Sequence, residues 1–347
     1  MFLKIIIFSF LLIIVIFIVL VEVFKAKNRK TPTGGINKSL YIDINGSKQW
    51  INIYGKDLSN PVLLYLHGGP GSSTSSIDYY FTRKYSDVYT IVIWDQRCCG
   101  KSYHYKEKDV VLTRKLFLED GLELTKYLLK LLSKDKISIL GHSWGSIYGA
   151  NLVMEYPSFY DCFIGTGQCI DFIENEKLFK KEATKWAKDD KKSMLLVSKL
   201  TPENITLEHI KARTRLMHKY GYDMFANGID YNMFTVKLFN PYYNIIDWIK
   251  LLNVSFKPYM KFIKSQEFAD FSLKDRYDYN IKYYNINGDK DYQTNYMLAK
   301  DYFSKVKSPY KKLYMMENMP HGLLMKNTDD FSKIIHEIAN NEKTNNK

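Results

Sequence analysis

Cysteine and proline are scarce in this sequence, and it shows neither an internal repeat nor a long low-complexity tract. The 347 residues include four cysteines and nine prolines. Cys98, Cys99, Cys162 and Cys169 lack the paired spacing of a zinc site, and the adjacent Cys98 and Cys99 are poorly placed to pair with each other. We therefore expect reduced thiols, no bound metal and no cofactor.

The charge is unbalanced, yet it carries no signature of nucleic-acid binding. The formal net charge is +13 at pH 7, which suggests a polyanionic partner. Most lysines, however, are interleaved with acidic residues, as in the segment 181–192, and no recognition motif accompanies them. We exclude nucleic acid as a partner and expect an anionic membrane surface to match the basic excess better.

A long apolar run lies near the N-terminus. The 17 residues from Ile5 to Val21 approach the lower limit for a bilayer span, and Val23 and Phe24 extend the run. A secretory signal has a shorter apolar region of about 7–15 residues and a small-residue cleavage site, which this segment lacks. Residues 1–30 are therefore predicted to form an uncleaved membrane anchor with a basic flank; a cleaved signal is the alternative.

The charges beside the apolar run bear on its orientation. Lys25, Lys27, Arg29 and Lys30 follow the run, whereas only Lys4 and the terminal amine precede it. Because cytoplasmic flanks carry an excess of Lys and Arg, this asymmetry predicts that the rest of the chain lies in the cytoplasm. An extracellular or secreted location is the alternative.

The order of apolar and amphipathic segments predicts an α/β fold. After a linker at 31–38, two alternating runs flank Asn45-Gly46, a pair that tolerates the positive φ angles of a hairpin turn. Continuously apolar strands then alternate with helices, which is typical of a mostly parallel sheet with helices on both faces. Apolar strand segments lie at 61–71, 88–102, 134–140, 160–170, 281–291 and 311–322, and helical segments end near Tyr80 or span 112–132, 146–157 and 329–342.

The alternation is interrupted by a helical block. Residues 171–279 change to amphipathic helices rich in Lys, Tyr, Phe and Met. Ligands bind at the carboxyl ends of the strands in open parallel sheets, so this block is predicted to form a cap over that edge. The core is then divided into 39–170 and 280–340, with a polar tail at 341–347.

The segment Gly141–Gly145, Gly-His-Ser-Trp-Gly, predicts a nucleophile. An apolar strand precedes it, and helical spacing follows until Pro157. A strand that passes directly into a helix forces a sharp turn, in which the two glycines avoid Cβ collisions and Ser143 stands clear. Ser143 also lies at a helix N-terminus, where unpaired N–H groups favour a developing anion. A loop that faces solvent or phosphate is the alternative.

A serine nucleophile needs a base and a group that orients the base. We favour His321, which follows a strand beside a glycine, over His336 in the final helix and His218 in the cap. The acid belongs at the end of the preceding strand, where both Asp289 and Asp291 occur. The pattern strand–Gly-x-x-Asp selects Asp291 and leaves Asp289 as a solvent-facing turn residue.

Two backbone N–H groups are predicted to stabilise the oxyanion. One belongs to Trp144, the residue after the nucleophile. The other belongs to the loop His67–Gly71, which follows the third strand and whose glycines allow a close approach to substrate. We assign this second donor to Gly69.

These motifs resemble the proline iminopeptidase branch of the α/β-hydrolase superfamily. The likeness extends over roughly 39–340 and rests on His-Gly-Gly-Pro-Gly at 67–71, Asp-Gln-Arg at 95–97, Gly-His-Ser-Trp-Gly at 141–145, Gly-Asp-Lys-Asp at 288–291 and the late His321. It implies an α/β-hydrolase fold with an inserted cap and a triad of Ser143, Asp291 and His321. Relatives usually have Gly where this chain has Cys98, which questions the backbone shape after Asp-Gln-Arg.

The resemblance also implies small peptide substrates. Peptide-cleaving relatives hold the free amine of the substrate with carboxylates in or near the cap, and Glu174 and Glu176 follow the sixth strand here. We favour Glu174 as the amine anchor; an exposed charge on the first cap helix is the alternative. The expected function is an aminopeptidase that releases N-terminal residues, proline among them, through an acyl-enzyme. An esterase or amide hydrolase with the same triad and a non-catalytic, membrane-tethered binding protein are the other hypotheses.

Overall fold

The structure, a computed structural model, describes residues 2–226, 228–229 and 231–345. Within these residues one sheet is formed by the strands β1 (Ile36–Ile44), β2 (Ser47–Gly55), β3 (Val62–Leu66), β4 (Thr90–Trp94), β5 (Ile137–His142), β6 (Tyr160–Thr166), β7 (Lys282–Gly288) and β8 (Lys311–Met316). Their order is β1-β2-β4-β3-β5-β6-β7-β8. The pairs β1–β2 and β2–β4 are antiparallel and the other five are parallel, which confirms the predicted fold class.

Helices cover both faces of the sheet and build the cap. Those of the anchor and core are α1 (Phe2–Arg29), α2 (Asp78–Thr82), α3 (Arg114–Leu132), α4 (Trp144–Glu155), α12 (Tyr296–Lys305), α13 (Leu323–Lys326) and α14 (Thr328–Asn345). The segment predicted as the cap contains α5 (Phe172–Ala187), α6 (Lys191–Val197), α7 (Leu207–Lys219), α8 (Met233–Leu238), α9 (Ile245–Leu252), α10 (Lys257–Ile263) and α11 (Gln266–Ala269).

Side chains of the central strands alternate between two buried layers. Leu64 of β3 packs in the layer that includes α3 and α4, whereas its neighbour Leu63 packs with α2 and α14. Neither side chain is exposed, as expected where helices cover both faces of a parallel sheet. The hairpin turn before them is also confirmed, since Asn45 and Gly46 have φ angles of 49° and 75°.

Several boundaries differ from the predictions. β1 begins at Ile36, inside the segment predicted as a linker. α3 begins two residues later than the predicted segment because Thr113 caps it, its Oγ1 accepting from the N–H of Leu116 at 3.1 Å. α14 continues to Asn345, and Glu342 on it accepts a hydrogen bond from a tyrosine of β7. Residues 341–345 are therefore helical, and the last two residues of the predicted tail lie outside the described part of the chain.

The N-terminal helix projects from the folded domain. Among the described residues, α1 is the one helix long and apolar enough to cross a membrane, over Lys4–Arg29. Its apolar side chains from Ile5 to Leu20 are exposed, whereas Val21 and Lys25 are buried. Lys25 Nζ donates to the carbonyl oxygen of Tyr243 at 3.2 Å. The helix thus meets the cap where its apolar run ends.

Candidate active site

Ser143 lies in a strained turn between β5 and α4. Its φ and ψ are 56° and −121°, which a residue other than glycine adopts only under constraint. A Cβ on Gly141 would lie 2.2 Å from the carbonyl oxygen of Gly145, and one on Gly145 would lie 2.0 Å from that of Leu66. Only glycine fits at either position without a backbone shift, so the structure explains both glycines of the motif.

His321 and Asp291 form a buried hydrogen-bonded pair. His321 Nδ1 donates to Asp291 Oδ2 at 2.8 Å, and the side chains are 5% and 0% exposed. Asp291 follows β7 and His321 follows β8, and these parallel neighbours bring both residues to the same sheet edge. Asp291 Oδ1 accepts from the backbone N–H groups of Gln293 and Thr294 at 2.9 and 3.0 Å, which fixes the carboxylate.

The other candidates for acid and base have other partners, although His218 and its partner Asp223 also line the cavity that Ser143 lines. Asp289 is half-buried with an enclosed Oδ1, which differs from the solvent-facing position predicted for it. His336 Nε2 bonds the carboxylate of Asp87 at 3.0 Å, and the exposed His218 pairs with Asp223 in the cap. Of these residues, the structure places Asp291 against His321.

His142 links this pair to the nucleophile turn. Its Nε2 donates to the carbonyl oxygen of His321 at 3.0 Å, and the two ring centroids are 4.8 Å apart. Burial lowers the pKa of His142 to about 3, so the ring is neutral at neutral pH. A Cβ on Gly68 would lie 3.2 Å from Ser143 Cβ and 3.5 Å from His142 Nδ1. Sequence reasoning missed His142, although it precedes the nucleophile directly.

The two predicted oxyanion donors lie on the same cavity wall as Ser143. Gly69 and Trp144 both line this cavity. Trp144 is the first residue of α4, and the first N–H groups of a helix have no partner within it. Gly69 has a φ of 126°, and a Cβ there would lie 2.7 Å from the N atoms of Gly71 and Ser72. The loop therefore requires glycine at this position.

The Asp-Gln-Arg segment ties the glycine-rich loop to the nucleophile turn. Gln96 Nε2 donates to the carbonyl oxygen of His67 at 3.4 Å, and Trp144 Nε1 donates to Gln96 Oε1 at 3.1 Å. Arg97 Nε and Nη2 donate to the buried carboxylate of Asp120 at 2.7 and 2.8 Å. The two hydrogen bonds of Gln96 therefore link the loop that carries Gly69 to the turn that carries Trp144.

Comparisons with known proteins agree with this geometry. The family described as alpha/beta hydrolase fold matches residues 61–291, well over half of the chain. The chain belongs to the α/β-hydrolase fold family. The probable aminopeptidase YbaC of Bacillus subtilis (strain 168) is 31% identical to it over 154 residues, which cover 44% of this chain and 48% of that protein.

Two solved structures resemble most of the chain. A proline iminopeptidase of Mycobacterium smegmatis has a TM-score of 0.63 at 15% identity, covering 89% of this chain and 100% of its own. A membrane phospholipase A, described as a bacterial virulence factor, has a TM-score of 0.61 at 13% identity and covers 96% and 99%. At these identities the likeness shows the fold alone. The chain spans about half the length of the curated relatives it matches, a proline iminopeptidase among them.

Cys98, which stands where the resemblance leads us to expect a glycine, adopts a conformation that favours glycine. Its φ is 61°, a left-handed conformation that costs about 1–2 kcal/mol for a residue with a Cβ. The side chain is fully buried, and burial raises the pKa of its thiol to about 12. Cys98 is therefore an inert core residue that leaves the loop geometry in place.

The cavity lies between the sheet edge and the cap. Its volume is about 920 Å³, and Ser143 lies in its wall. Apolar side chains of the cap supply much of the lining, including Phe172, Ile263 and Phe268. The rings of Phe172 and Phe268 stack at 3.9 Å. Most of the surface of the cavity wall is thus apolar, as is typical of small-molecule sites.

The two predicted amine anchors occupy different positions. Glu174 lies outside the cavity lining and pairs with Lys177 and Lys274 at 3.4 and 3.7 Å. Glu176 lines the cavity, and its Oε2 accepts from His209 Nε2 at 2.9 Å and Arg213 Nε at 3.0 Å. The position of Glu174 therefore does not support our preference for it.

The ion pair with Arg213 keeps the Glu176 carboxylate charged. Burial alone would raise the pKa of Glu176, but the charge of Arg213 and the hydrogen bond from His209 outweigh it and hold the pKa below its usual value. Arg213 Nη1 also donates to Gln293 Oε1 at 2.8 Å. Sequence reasoning missed His209 and Arg213, although their spacing of four residues places them on one face of α7.

Gly167 leaves room for the His321 ring. Its φ is 51°, and a Cβ there would lie 3.0 Å from His321 Cε1 and Nδ1 and 3.4 Å from Asp291 Oδ2. We expect Gly167→Ala to displace the ring and lower kcat about 10–100-fold. Gly221→Ala is the matched control, because Gly221 also has positive φ but nothing within 4 Å of its Cβ position.

Steady-state kinetics of the two variants, with thermal unfolding of each, measure this effect. Both variants should lose similar stability through backbone strain, and only Gly167→Ala should lose turnover. Equal kcat values would show that Gly167 does not position the histidine.

Proposed function

We propose that this protein is a serine hydrolase that transfers an acyl group first to Ser143 and then to water. The observation that carries the proposal is the hydrogen bond between Asp291 and His321, buried at the sheet edge that also presents Ser143. The neutral His142 bridges the two parts of the site. A nucleophile, a base and an orienting acid in this order are the parts that acyl transfer requires.

The reaction has two steps, acylation of Ser143 and hydrolysis of the acyl-enzyme. Ser143 Oγ attacks the carbonyl carbon while His321 Nε2 takes the hydroxyl proton, and the negative charge moves to the carbonyl oxygen. That oxygen accepts from the N–H groups of Gly69 and Trp144. The bond to the leaving amine or alcohol then breaks, and the leaving group takes the proton from His321. Water attacks the acyl-enzyme by the same steps, releasing the acid and restoring Ser143.

Asp291 keeps the base in the productive tautomer. Because its Oδ2 accepts from Nδ1 of His321, the proton of the neutral ring lies on Nδ1 and leaves Nε2 free to accept. Thr294 Oγ1 donates to the same Oδ2 at 3.0 Å. The carboxylate therefore has no freedom to turn away from the ring.

For the substrate, we propose small peptides with a free N-terminal residue. The names of the curated relatives, a probable aminopeptidase and several proline iminopeptidases, support this choice. Glu176 replaces Glu174 as the proposed contact for the amine, since it lines the cavity. Its Oε1 accepts from Asn175 Nδ2 at 3.0 Å and has a lone pair left for an ammonium group.

A second candidate, an esterase or amide hydrolase for neutral acyl groups, is favoured by the pairing of Glu176. Arg213 already neutralises this carboxylate, so Glu176 has no uncompensated negative charge to attract an ammonium group. The apolar lining of the cap would suit an apolar acyl group equally well.

The requirement for a free amine distinguishes the two candidates. If Glu176 binds an ammonium group, a free aminoacyl amide should be cleaved about 10–100-fold faster than its N-acetylated form, as one charge-assisted hydrogen bond predicts. Glu176→Gln should remove this preference, whereas the control Glu174→Gln should keep it. Equal rates on both substrates in the unmodified protein would favour the esterase candidate. Hydrolysis of a short-chain ester by each variant is the control that its catalytic chemistry is intact.

The proposal also places the enzyme on a membrane, held by α1 with its catalytic domain in the cytoplasm. Support comes from the exposed apolar surface of α1 and from the excess of Lys and Arg on its C-terminal flank. Protease added to intact cells stripped of their wall should leave the catalytic domain whole. Digestion without lysis would place the domain outside, and a mature chain starting near Thr31 would indicate a cleaved signal.

A further inference from the structure

Helix α9 of the cap buries its one acidic residue and exposes most of its apolar residues. Asp247 is 6% exposed, the reverse of the usual surface helix, whose apolar stripe faces the core. The apolar residues of α9 are largely exposed, with Ile245 at 72% and Leu252 at 86%. We define the α9 face as Ile245, Ile246, Ile249 and Leu252.

Buried polar contacts fix this orientation of α9. Lys101 Nζ donates to Asp247 Oδ2 at 2.9 Å and to the carbonyl oxygen of Tyr242 at 2.6 Å. Asn244 and Asp247 form a reciprocal capping box at the start of the helix. Rotating the α9 face inward would break the ion pair and leave Lys101 buried without it, so the apolar face has to point outward.

The end of α1 lies against the segment that leads into α9. The ring of Phe24 is 5.0 Å from that of Phe239, and Lys25 Nζ donates to the carbonyl oxygen of Tyr243. The ring of Tyr243 is in turn 4.7 Å from that of Trp248 on α9. The end of α1 is therefore connected to α9 through Tyr243, which contacts both helices.

We propose that the α9 face inserts into the lipid interface beside α1 and forms a second membrane contact. We choose a bilayer as the partner because α1, which is apolar enough to cross one, contacts the segment that leads into α9 at the end of its apolar run. The exposed Lys250 lies on α9 itself, and such a cation favours anionic headgroups beside an inserted apolar face.

This contact would set the direction in which the cavity opens. The segment Ile263–Gln266, which joins the end of α10 to the start of α11, lines the cavity. Docking of α9 would give the domain a second fixed point on the lipid surface, whereas α1 alone would leave the domain free to tilt. The inference uses the anchor and does not depend on the chemistry proposed for Ser143.

Site-specific probes on the full chain test this contact. The native cysteines are buried, so a thiol-reactive fluorophore should label an introduced cysteine selectively. We would place it at Leu252→Cys and, as a control, at Lys307→Cys, whose side chain is 78% exposed just before β8. Both chains are reconstituted in vesicles of phosphatidylcholine and phosphatidylglycerol, and flotation reports the anchor separately.

The probe at Leu252 should be quenched by spin-labelled lipid and protected from aqueous iodide, with the opposite result at Lys307. Equal exposure of both probes to iodide would overturn the proposal, and so would a disulfide between two Leu252→Cys chains, since the face would then pair two copies. In a chain probed at Ile245→Cys, adding Ile249→Asp and Leu252→Asp should reduce lipid quenching to the level of the Lys307 control. Flotation should be unchanged.

Discussion

Ser143→Ala should reduce hydrolysis of every substrate that the protein cleaves by about 10⁶-fold, to the residual rate that binding and oxyanion contacts alone provide. The substitution removes the one atom that becomes bonded to the acyl group. The substitution should not harm folding, because alanine lacks only the hydroxyl group of serine and the close packing of Gly141 and Gly145 holds the turn. Ser198→Ala, on an exposed cap position, is the control and should keep full activity.

Rates of the two variants on a panel of aminoacyl amides and short-chain esters measure this effect. Unchanged hydrolysis by Ser143→Ala on all of them would remove Ser143 from the chemistry.

Asp291→Asn should lower kcat by about 10⁴-fold, and Asp289→Asn should have a small effect. Asp291 Oδ1 accepts from two backbone N–H groups, so the amide oxygen of an asparagine would stay on that side. Its NH2 group would then face His321 Nδ1 and force the proton of the ring onto Nε2. In that tautomer, His321 has no lone pair for the proton of Ser143.

Turnover numbers of the two variants, with the thermal unfolding midpoint of each, provide the comparison. The reverse ranking of the two variants, with both folded, would mean that Asp289 is the acid.

Local signals were sufficient for the fold and for the residues at the sheet edge. The glycines at 141 and 145, between an apolar strand and a helix, were enough to predict the turn. In the structure each lies against backbone, where no side chain fits. Asp291 and His321 could be predicted to lie together because each follows an apolar strand, and parallel neighbouring strands end at the same edge. These inferences need only the chain near the residue in question.

The cap was harder to predict because its contacts depend on how helices are rotated. Glu174 and Glu176 are two positions apart on α5, so their side chains point about 200° apart around the axis. Which of them faces the cavity is decided by packing against α7, which supplies His209 and Arg213. The outward apolar face of α9 has the same origin, since the partner of Asp247 is Lys101, far away in the sequence.

The central claim is that Ser143 is an activated nucleophile, and labelling by a fluorophosphonate probe tests it most directly. The folded, full-length protein should be modified at Ser143 alone, as identified by peptide mass spectrometry. Ser143→Ala should not be labelled, and His321→Ala should be labelled far more slowly because it lacks the base. A folded wild-type protein that resists the probe would contradict the account and would favour a binding protein that retains the hydrolase fold without its chemistry.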